Sequence, residues 1–476
     1  MPLDNPKSDF SKWYSEILLR GNIIDVRTPI KGANVILPNG YAIWESVKNI
    51  LNREFVATKH QNAYFPLFIP EDFLTKESEH FDGFVPEVAW VTKVGDTELN
   101  EKLALRPTSE TIMYYMYAQW IKSHADLPLK MNQWANIIRM DTKETRPLLR
   151  DREFQWSEAH TCHRSAEDAK IQVEESMTIY ETLFDTLGLS YLTLRRPPHD
   201  TFPGADYSIA YDSVLPDGRA LQIGTTHNLG QSFAKVFDIK FQDVDGSTQL
   251  VHQTCYGVST RVLAAIIALH GDDQGLILPP SVAPLQVAII PIVFKNKSEG
   301  VVEACEALEK EVLKAGYKAH ADTRDNYTAG WKFAEYEMKG CPVRLEIGPR
   351  DLKNKSVLLV RRDTGQKIPV SRDELIEELR KIMDDIQNGL KKKADEILDS
   401  FIVDIDEFEQ LKARMQNERG FARINWCGQL SCAENIKDVM SAEIRGSRED
   451  IEEKPNGNCV VCGKKGTQRV YVAQAY

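Results

Sequence analysis

The chain lacks any apolar run suited to a bilayer. Only Gly275–Phe294 goes 20 residues without a charge, and it holds Pro279, Pro280, Pro284 and Pro291, which break a membrane helix. It reads instead as a linker followed by a buried strand, with no membrane association. The opening residues, MPLDNPKSDF, carry neither an apolar h-region nor a basic amphipathic pattern, so no signal or transit peptide is expected and a cytoplasmic location follows. GxSxG, HExxH and P-loop signatures are also missing, which removes the simplest nucleophilic, zinc-peptidase and phosphate-loop readings. Positive charge is in deficit: 59 Lys and Arg against 70 Asp and Glu give a net charge of −11. That excludes wholesale non-specific nucleic-acid binding but leaves room for a local basic face. Candidates are Arg344, Arg350, Lys353, Lys355, Arg361, Arg362 and the run Lys391–Lys393; the alternative is an ordinary solvated surface.

Cysteine is sparse, yet four of the eight fall within the last 50 of the 476 residues. Cys427 and Cys432 form one close pair, and Cys459 and Cys462 a CxxC. Two such pairs can give four thiolates to one tetrahedral Zn²⁺. Two disulfides are the rival reading. The scattered Cys162, Cys255, Cys305 and Cys341 favour a reducing compartment and hence the metal. With all four ligands from protein and no open position, the site is structural.

At 42% hydrophobic residues, the chain supports large cores and two to four domains. Trp44, Val47, Leu51 and Phe55 mark one face of a helix over 40–59, followed by a strand-like AYFPLFIP whose prolines suit an edge. A helix is expected over 108–122. Strands over 133–139 and 153–160 flank a charged loop, and 192–258 is strand-rich with turns at Pro216–Gly218 and Asp245–Gly246. A helix with Val262, Leu263, Ile266 and Ile267 stops at Gly271. Beyond the linker, strands at 287–294, 317–322, 343–347 and 356–361 alternate with helices at 301–315 and 332–339. This alternation predicts an α/β unit with a mostly parallel sheet. Ser371 and Glu374 read as a capping box opening a long helix with Leu375, Leu379, Ile382, Ile386 and Leu390 on one face. The expected division is 1–278 for a catalytic unit, 279–284 for a linker, 285–385 for the α/β unit and 386–476 for the cysteine-bearing tail.

Arginines are the conspicuous chemical groups. Arg139, Arg150, Arg152 and Arg261 sit on strands and turns, spaced as fixed cations around a polyphosphate would be. Guanidinium groups bind phosphate oxygens bidentately and keep their charge. A site of this kind works by positioning and charge stabilisation without a protein base. Each arginine alone would read as a surface ion-pair partner.

That arrangement resembles the class II aminoacyl-tRNA synthetases, from about residue 40 to 275 and on into an anticodon-binding domain. The helix and strand ending at Pro66 look like the first class motif, which builds the interface of a homodimer. IRMDTKETRPLLRDREF looks like the second motif and CYGVSTRVLAAII like the third. Within the class, LRPTSET, FQWSEAHT, QIGTTHNLGQSF and WKFAEYEMKGCPVRLEIGPRD resemble the prolyl-tRNA synthetases, and the cysteine-bearing tail their archaeal/eukaryotic-type branch. The resemblance implies an α+β catalytic core on an antiparallel sheet, an α/β anticodon-binding domain and a small zinc-binding C-terminal domain.

It also implies an activity: ATP-dependent activation of L-proline to prolyl-adenylate, with Mg²⁺ on the phosphates, and transfer to proline tRNA. Arg139 would hold the α-phosphate, Phe154 stack on adenine, Arg261 hold the ATP tail with Arg150 and Arg152 nearby, and Gln222 and Thr225 contact ribose and adenine. Thr108 and Glu110 would take the proline ammonium. Trp156, His160 and Phe202 would wall the ring (plain core packing being the alternative for Trp156 and Phe202), with Glu158 and His227 organising the pocket. Glu337 and Arg344 are implied readers of anticodon guanines, and Tyr476 is implied to approach the active site. Two departures stand out: Asp141 replaces the usual glutamate of the second motif, and the third motif lacks a second glycine. Glu153 and Cys255 are too close to enclose the bacterial-type editing insertion, so cysteine or alanine misactivation is expected without editing in cis. The alternatives are a catalytically silent tRNA-binding regulator and a synthetase for another small amino acid such as threonine.

Overall fold

The computed structural model describes residues 2–78, 87–293 and 299–476. Its largest feature is an 11-stranded sheet. The middle is antiparallel, running through strands Leu192–Arg195, Tyr207–Val214, Ala220–Gly230, His252–Ser259, Glu153–His163 and Leu129–Ile138. One face is covered by helices Pro38–Ala57, Ala166–Thr186 and Arg261–His270. The first shows the expected stripe: Trp44, Val47, Leu51 and Phe55 are all buried. Arg261–His270 is buried all round except at its first residue, as a helix apolar on every side should be. An N-terminal helix, Phe10–Arg20, adds Phe10, Trp13, Tyr14, Ile17 and Leu18 to the same core.

The α/β unit has the strands expected of it, with one correction to their arrangement. Ala319–Ala321, Val287–Pro291 and Val343–Ile347 are parallel, but Ser356–Arg361 and Lys367–Ser371 join antiparallel, so the five-stranded sheet is mixed. The last strand carries Pro369, tolerable because it lies on the edge. The expected strand end at Phe294 lies outside the described residues. A second correction concerns the capping box. Ser371 is committed to the sheet ladder opposite Ser356, and the helix begins only at Leu375, with no side-chain cap.

That helix, Leu375–Phe401, runs 27 residues without a break. Its first half packs Leu375, Leu379, Ile382, Ile386 and Leu390 on the α/β core. Ala394 then joins the catalytic core, and Leu398 packs with Leu192, Leu194, Phe421 and Tyr471. The expected division at 385/386 falls inside this one helix, whose packing partner changes only between Leu390 and Ala394. The linker is docked as well: Ser281 Oγ donates to the Thr186 carbonyl at 2.8 Å, and Val282 and Ala283 are buried.

The cysteine-bearing tail extends the catalytic sheet. Strand Glu443–Arg448 pairs with Leu192–Arg195 (Ser447 opposite Arg195), and Gln468–Ala473, Phe421–Trp426 and Ile402–Asp404 continue outward. Among the described residues no helix is long and apolar enough to cross a membrane.

Candidate active site

Strand Glu153–His163 is the floor of the site. Side chains alternate on a strand, so Phe154, Trp156, Glu158 and His160 share one face while Ser157 and Ala159 turn to the other. The register sets Cys255 opposite His160 on one side and Ile137 opposite Phe154 on the other. Arg139 follows directly after the neighbouring strand, its N–H donating to the Arg152 carbonyl at 2.7 Å to close the hairpin. On the far side, Thr225 and His227 are in phase, but Gln222 would be out of phase with them. A bulge corrects this: Tyr211 pairs with Gly224 and Asp212 with Gln222, leaving Ile223 as the extra residue.

These faces enclose a cavity of about 510 Å³. It brings together Thr108, Glu110, Arg139, Asp141, Arg150, Phe154, Trp156, Glu158, His160, Phe202, Gln222, Thr225, His227 and Arg261. Arg152 is the one candidate for this site that does not line it. Its Nε donates to the Thr142 carbonyl at 2.9 Å, which braces the loop from outside.

One end of the cavity is cationic. Arg139 stands 5.7 Å from the Phe154 ring and 5.6 Å from Trp156, its Nε donating to the Pro107 carbonyl at 3.2 Å. Arg261, first residue of its helix, donates from Nε to the Leu149 carbonyl at 2.9 Å. Burial, then the neighbouring charges of Arg139 and Arg150, pull its pKa down to about 10. It stays charged at neutral pH, and this cluster of cations calls for a polyanion.

The other end is small, partly apolar and acidic. Thr108 hydrogen-bonds through its hydroxyl to Glu110, the first residue of helix Glu110–Trp120, where the helix N-terminus favours negative charge. Burial nonetheless raises the Glu110 pKa. Glu158 Oε2 and His160 Nε2 form a buried contact at 3.2 Å. Burial opposes both charges, but the pairing wins: it lowers the Glu158 pKa and, with Glu110, raises that of His160. The Tyr114 hydroxyl lies 2.8 Å from His160 Nδ1. Phe202 packs against the His227 ring at 4.9 Å. Burial holds His227 neutral, its pKa brought down to about 3, between Ser208 Oγ at 2.6 Å and Thr225 Oγ1 at 2.9 Å.

Glu110, His160 and Cys255 have ligand atoms within 4.8 Å of one another. They make a poor metal set, because both His160 nitrogens are engaged and burial pushes the Cys255 thiol well up from its ordinary pKa. Arg196, Asp200, Ser208 and Cys255 also line the cavity, and nothing in their local spacing announced them. Tyr476 is one layer out: its hydroxyl accepts from Arg146 at 2.8 Å and donates to Asp217 at 2.5 Å, so it holds the loop that carries Arg150.

Two further sites lie away from the cavity. Arg344 is buried between Glu337 at 2.7 Å and Glu346 at 2.9 Å, over the Phe333 ring at 4.0 Å. Arg362 donates to Asp272 at 2.9 and 2.5 Å, and both arginines line a cavity of about 440 Å³. Arg344, Arg361 and Arg362 are thus paired and largely buried, not a solvated face. In the tail, the four thiols lie within 4.8 Å of one another, with Cys427 3.6 Å from both Cys432 and Cys462. All four are free thiols, and these separations exceed the roughly 2 Å of a disulfide bond. The spacing suits a tetrahedron with metal–sulfur bonds of roughly 2.3 Å, whose edge is roughly 3.8 Å. Gly463, at φ +71°, donates to the Cys459 carbonyl at 2.9 Å and forms the turn that points the CxxC sulfurs inward.

Three family models match in succession: "tRNA synthetase class II core domain (G, H, P, S and T)" over residues 90–270, "Anticodon binding domain" over 286–382 and "Prolyl-tRNA synthetase, C-terminal" over 408–476. Proline–tRNA ligase of Methanothermobacter thermautotrophicus is 46% identical, covering 96% of this chain and 94% of its own length. That of Pyrococcus abyssi is 44% identical, covering 98% of both. Giardia lamblia prolyl-tRNA synthetase, solved with prolyl-adenylate, superposes with a TM-score of 0.96 at 37% identity over 100% of both chains. The Cryptosporidium parvum enzyme, solved with halofuginone and AMPPNP, gives 0.95 at 36% identity over 100% and 99%.

Proposed function

The chain belongs to the class II prolyl-tRNA synthetases, and from that premise we propose that its cavity joins L-proline to ATP and passes the prolyl group to the 3′ end of proline tRNA. The observation that carries this reading is the pairing, in one 510 Å³ cavity, of the Arg139, Arg150 and Arg261 cluster with a small acid-floored recess. A proline carboxylate oxygen attacks the α-phosphorus of ATP in line. The new bond is carboxyl oxygen to phosphorus, and the bond to the β-phosphate bridge breaks. Arg139 meets the charge that develops at the α-phosphate, while Arg150 and Arg261 hold the departing pyrophosphate. Phe154 offers its ring to adenine, with Gln222 and Thr225 toward the ribose and base. Mg²⁺ on the ATP phosphates would add to the charge neutralisation, with Asp141 the carboxylate of that wall. Arg152 contributes by bracing the loop.

The amino-acid end fits a secondary ammonium. Thr108 and Glu110 offer two acceptors, and ionisation of Glu110 is favoured once a cation lies beside it. Trp156, His160 and Phe202 wall the ring. Glu158 favours the charged form of His160 and orients its ring, and neutral His227 stands near the carboxylate. Residues 153–255 are used up by the core strands and helix, which supports the absence of editing in cis.

Outside the cavity, Glu337 and Arg344 read anticodon guanines. Cys427, Cys432, Cys459 and Cys462 hold one structural Zn²⁺. The chain works as a homodimer through helix Pro38–Ala57 and the segment that follows it to Pro70, where Val56, Tyr64 and Phe68 leave 61%, 75% and 43% of their surfaces exposed. We divide it as 1–278 catalytic, 279–284 linker, 285–385 anticodon-binding and 386–476 zinc-binding. We place it in the cytoplasm, where tRNA is charged and thiols stay reduced.

Amino-acid-dependent ATP–pyrophosphate exchange without tRNA tests the reading. Strong exchange with proline, weak exchange with cysteine and alanine, and none above background with threonine are expected. No exchange with any amino acid in folded, zinc-loaded protein would favour the silent tRNA-binding regulator.

A further inference from the structure

Asp212 is completely buried on strand Tyr207–Val214, and arginines from two distant parts of the chain hold its two oxygens. Arg445, on the tail strand Glu443–Arg448, donates from Nε to Oδ2 at 2.7 Å and from Nη2 to Oδ1 at 3.2 Å. Arg196 donates from Nη2 to Oδ1 at 3.0 Å. That same Nη2 donates to Oε1 of Gln222 at 2.8 Å, and Arg196 Nη1 donates to the Arg445 carbonyl at 2.8 Å. Asp212 and Gln222 face each other across the ladder because of the Ile223 bulge. An arginine has donors only, so Gln222 must turn its carbonyl oxygen to Arg196 and its NH₂ group to the cavity.

We infer that Arg445 is a positioning residue for the nucleotide: through Asp212 and Arg196 the C-terminal domain fixes which end of the Gln222 amide faces the ribose–adenine end of ATP. The inference rests on the reading of Gln222 as a nucleotide contact. Without Arg445, a buried carboxylate is left with a single guanidinium. The cost of an underpaired buried charge drives that guanidinium to use both arms on Asp212. Arg196 Nη2 then leaves Gln222, whose amide loses its fixed orientation. Lysine in place of Arg445 restores charge but cannot satisfy both oxygens in the same geometry.

The test is the KM for ATP and for proline in pyrophosphate exchange, on the full-length zinc-loaded protein. Arg445→Met is expected to raise the ATP KM by about tenfold, the factor that ~1.4 kcal/mol represents, with the proline KM within twofold. Arg445→Lys moves the ATP KM in the same direction by less. Asp212→Asn combined with Arg445→Met removes the buried charge that pulls on Arg196, so the ATP KM returns toward that of the parent. This pair also keeps the test open if Arg445→Met alone folds poorly. Gln222→Met raises the ATP KM, and Arg445→Met adds nothing on top of it. An unchanged ATP KM in Arg445→Met, equal rises in both KM values, or no rescue in the double variant each overturn the inference. If Gln222→Met leaves the ATP KM unchanged, the Gln222 reading fails and the inference with it. Absent proline exchange in the parent protein would instead defeat the functional reading itself.

Discussion

Cysteine and alanine define how sharp the amino-acid end of the cavity is. Proline offers Cβ, Cγ and Cδ to Trp156, His160 and Phe202. Cysteine fills two of those positions with Cβ and Sγ, and alanine only one. Each missing methylene costs about 1–3 kcal/mol of transition-state binding. At ~1.36 kcal/mol per tenfold, cysteine should fall about 5- to 160-fold behind proline in kcat/KM, and alanine, two positions short, about 30- to 3 × 10⁴-fold. The ammonium hardly alters these ratios, because Glu110 neutralises the same charge in each substrate. The assay is kcat/KM in pyrophosphate exchange for the three amino acids, followed by charging of proline tRNA with cysteine. Without editing in cis, cysteinyl product should accumulate and ATP consumption should match it. A cysteine discrimination above about 10⁴ would show that the pocket does more than count methylenes. ATP turnover far in excess of charged product would show an editing step that the fold does not provide.

Arg344→Ala should raise the KM for tRNA while proline-dependent exchange stays within twofold; equal losses in both assays would remove Arg344 from anticodon reading. Cys462→Ser should lower bound zinc below one per chain and reduce Tm, read by metal analysis and calorimetry; unchanged metal content would refute the four-thiolate site. A pH effect is expected at Asp151, which accepts from Leu148 N–H at 2.7 Å and from Asn34 at 2.9 Å, and whose pKa burial raises from 3.8 to about 7. The unfolded chain then loses this proton before the folded one does, so this group makes stability fall as pH rises from about 4 to 7. Asp151→Asn should flatten the Tm profile across that window, and an unchanged slope would show that Asp151 titrates normally.

The strands and helices nearest the cavity were legible because their side-chain periods are clean. Alternation across Phe154–His160 and the stripe from Trp44 to Phe55 each admit one face toward the core. The N-terminal helix carries an equally clear stripe in Phe10, Trp13, Tyr14, Ile17 and Leu18. The strand Lys367–Ser371 was hidden by Pro369, and Ser371 and Glu374 mimicked a cap because a strand end and a helix start use the same small polar residues. Motif resemblance gave most of the cavity wall. Arg152 was the exception, since spacing along a loop does not say which way a side chain turns. Arg196 and Asp212 are not legible locally because their meaning depends on Arg445, more than two hundred positions away in sequence.

The tail shows how far such non-local effects reach. Four cysteines near one end of the chain suggest a self-contained module, whose loss would leave the remainder intact. The pairing of Ser447 with Arg195 and of Arg448 with Leu194 makes the tail part of the catalytic sheet instead. Leu398 sits in a cluster with residues from the catalytic strands and the tail alike, on a helix whose other end belongs to the anticodon-binding core. Arg445 and Tyr476 then reach two separate parts of the site, one the Gln222 amide and the other the Arg146 loop. On the readings proposed for the four thiols and for Gln222, a metal that held this tail in register would act on nucleotide geometry from a distance, through ordinary sheet pairing and one buried carboxylate.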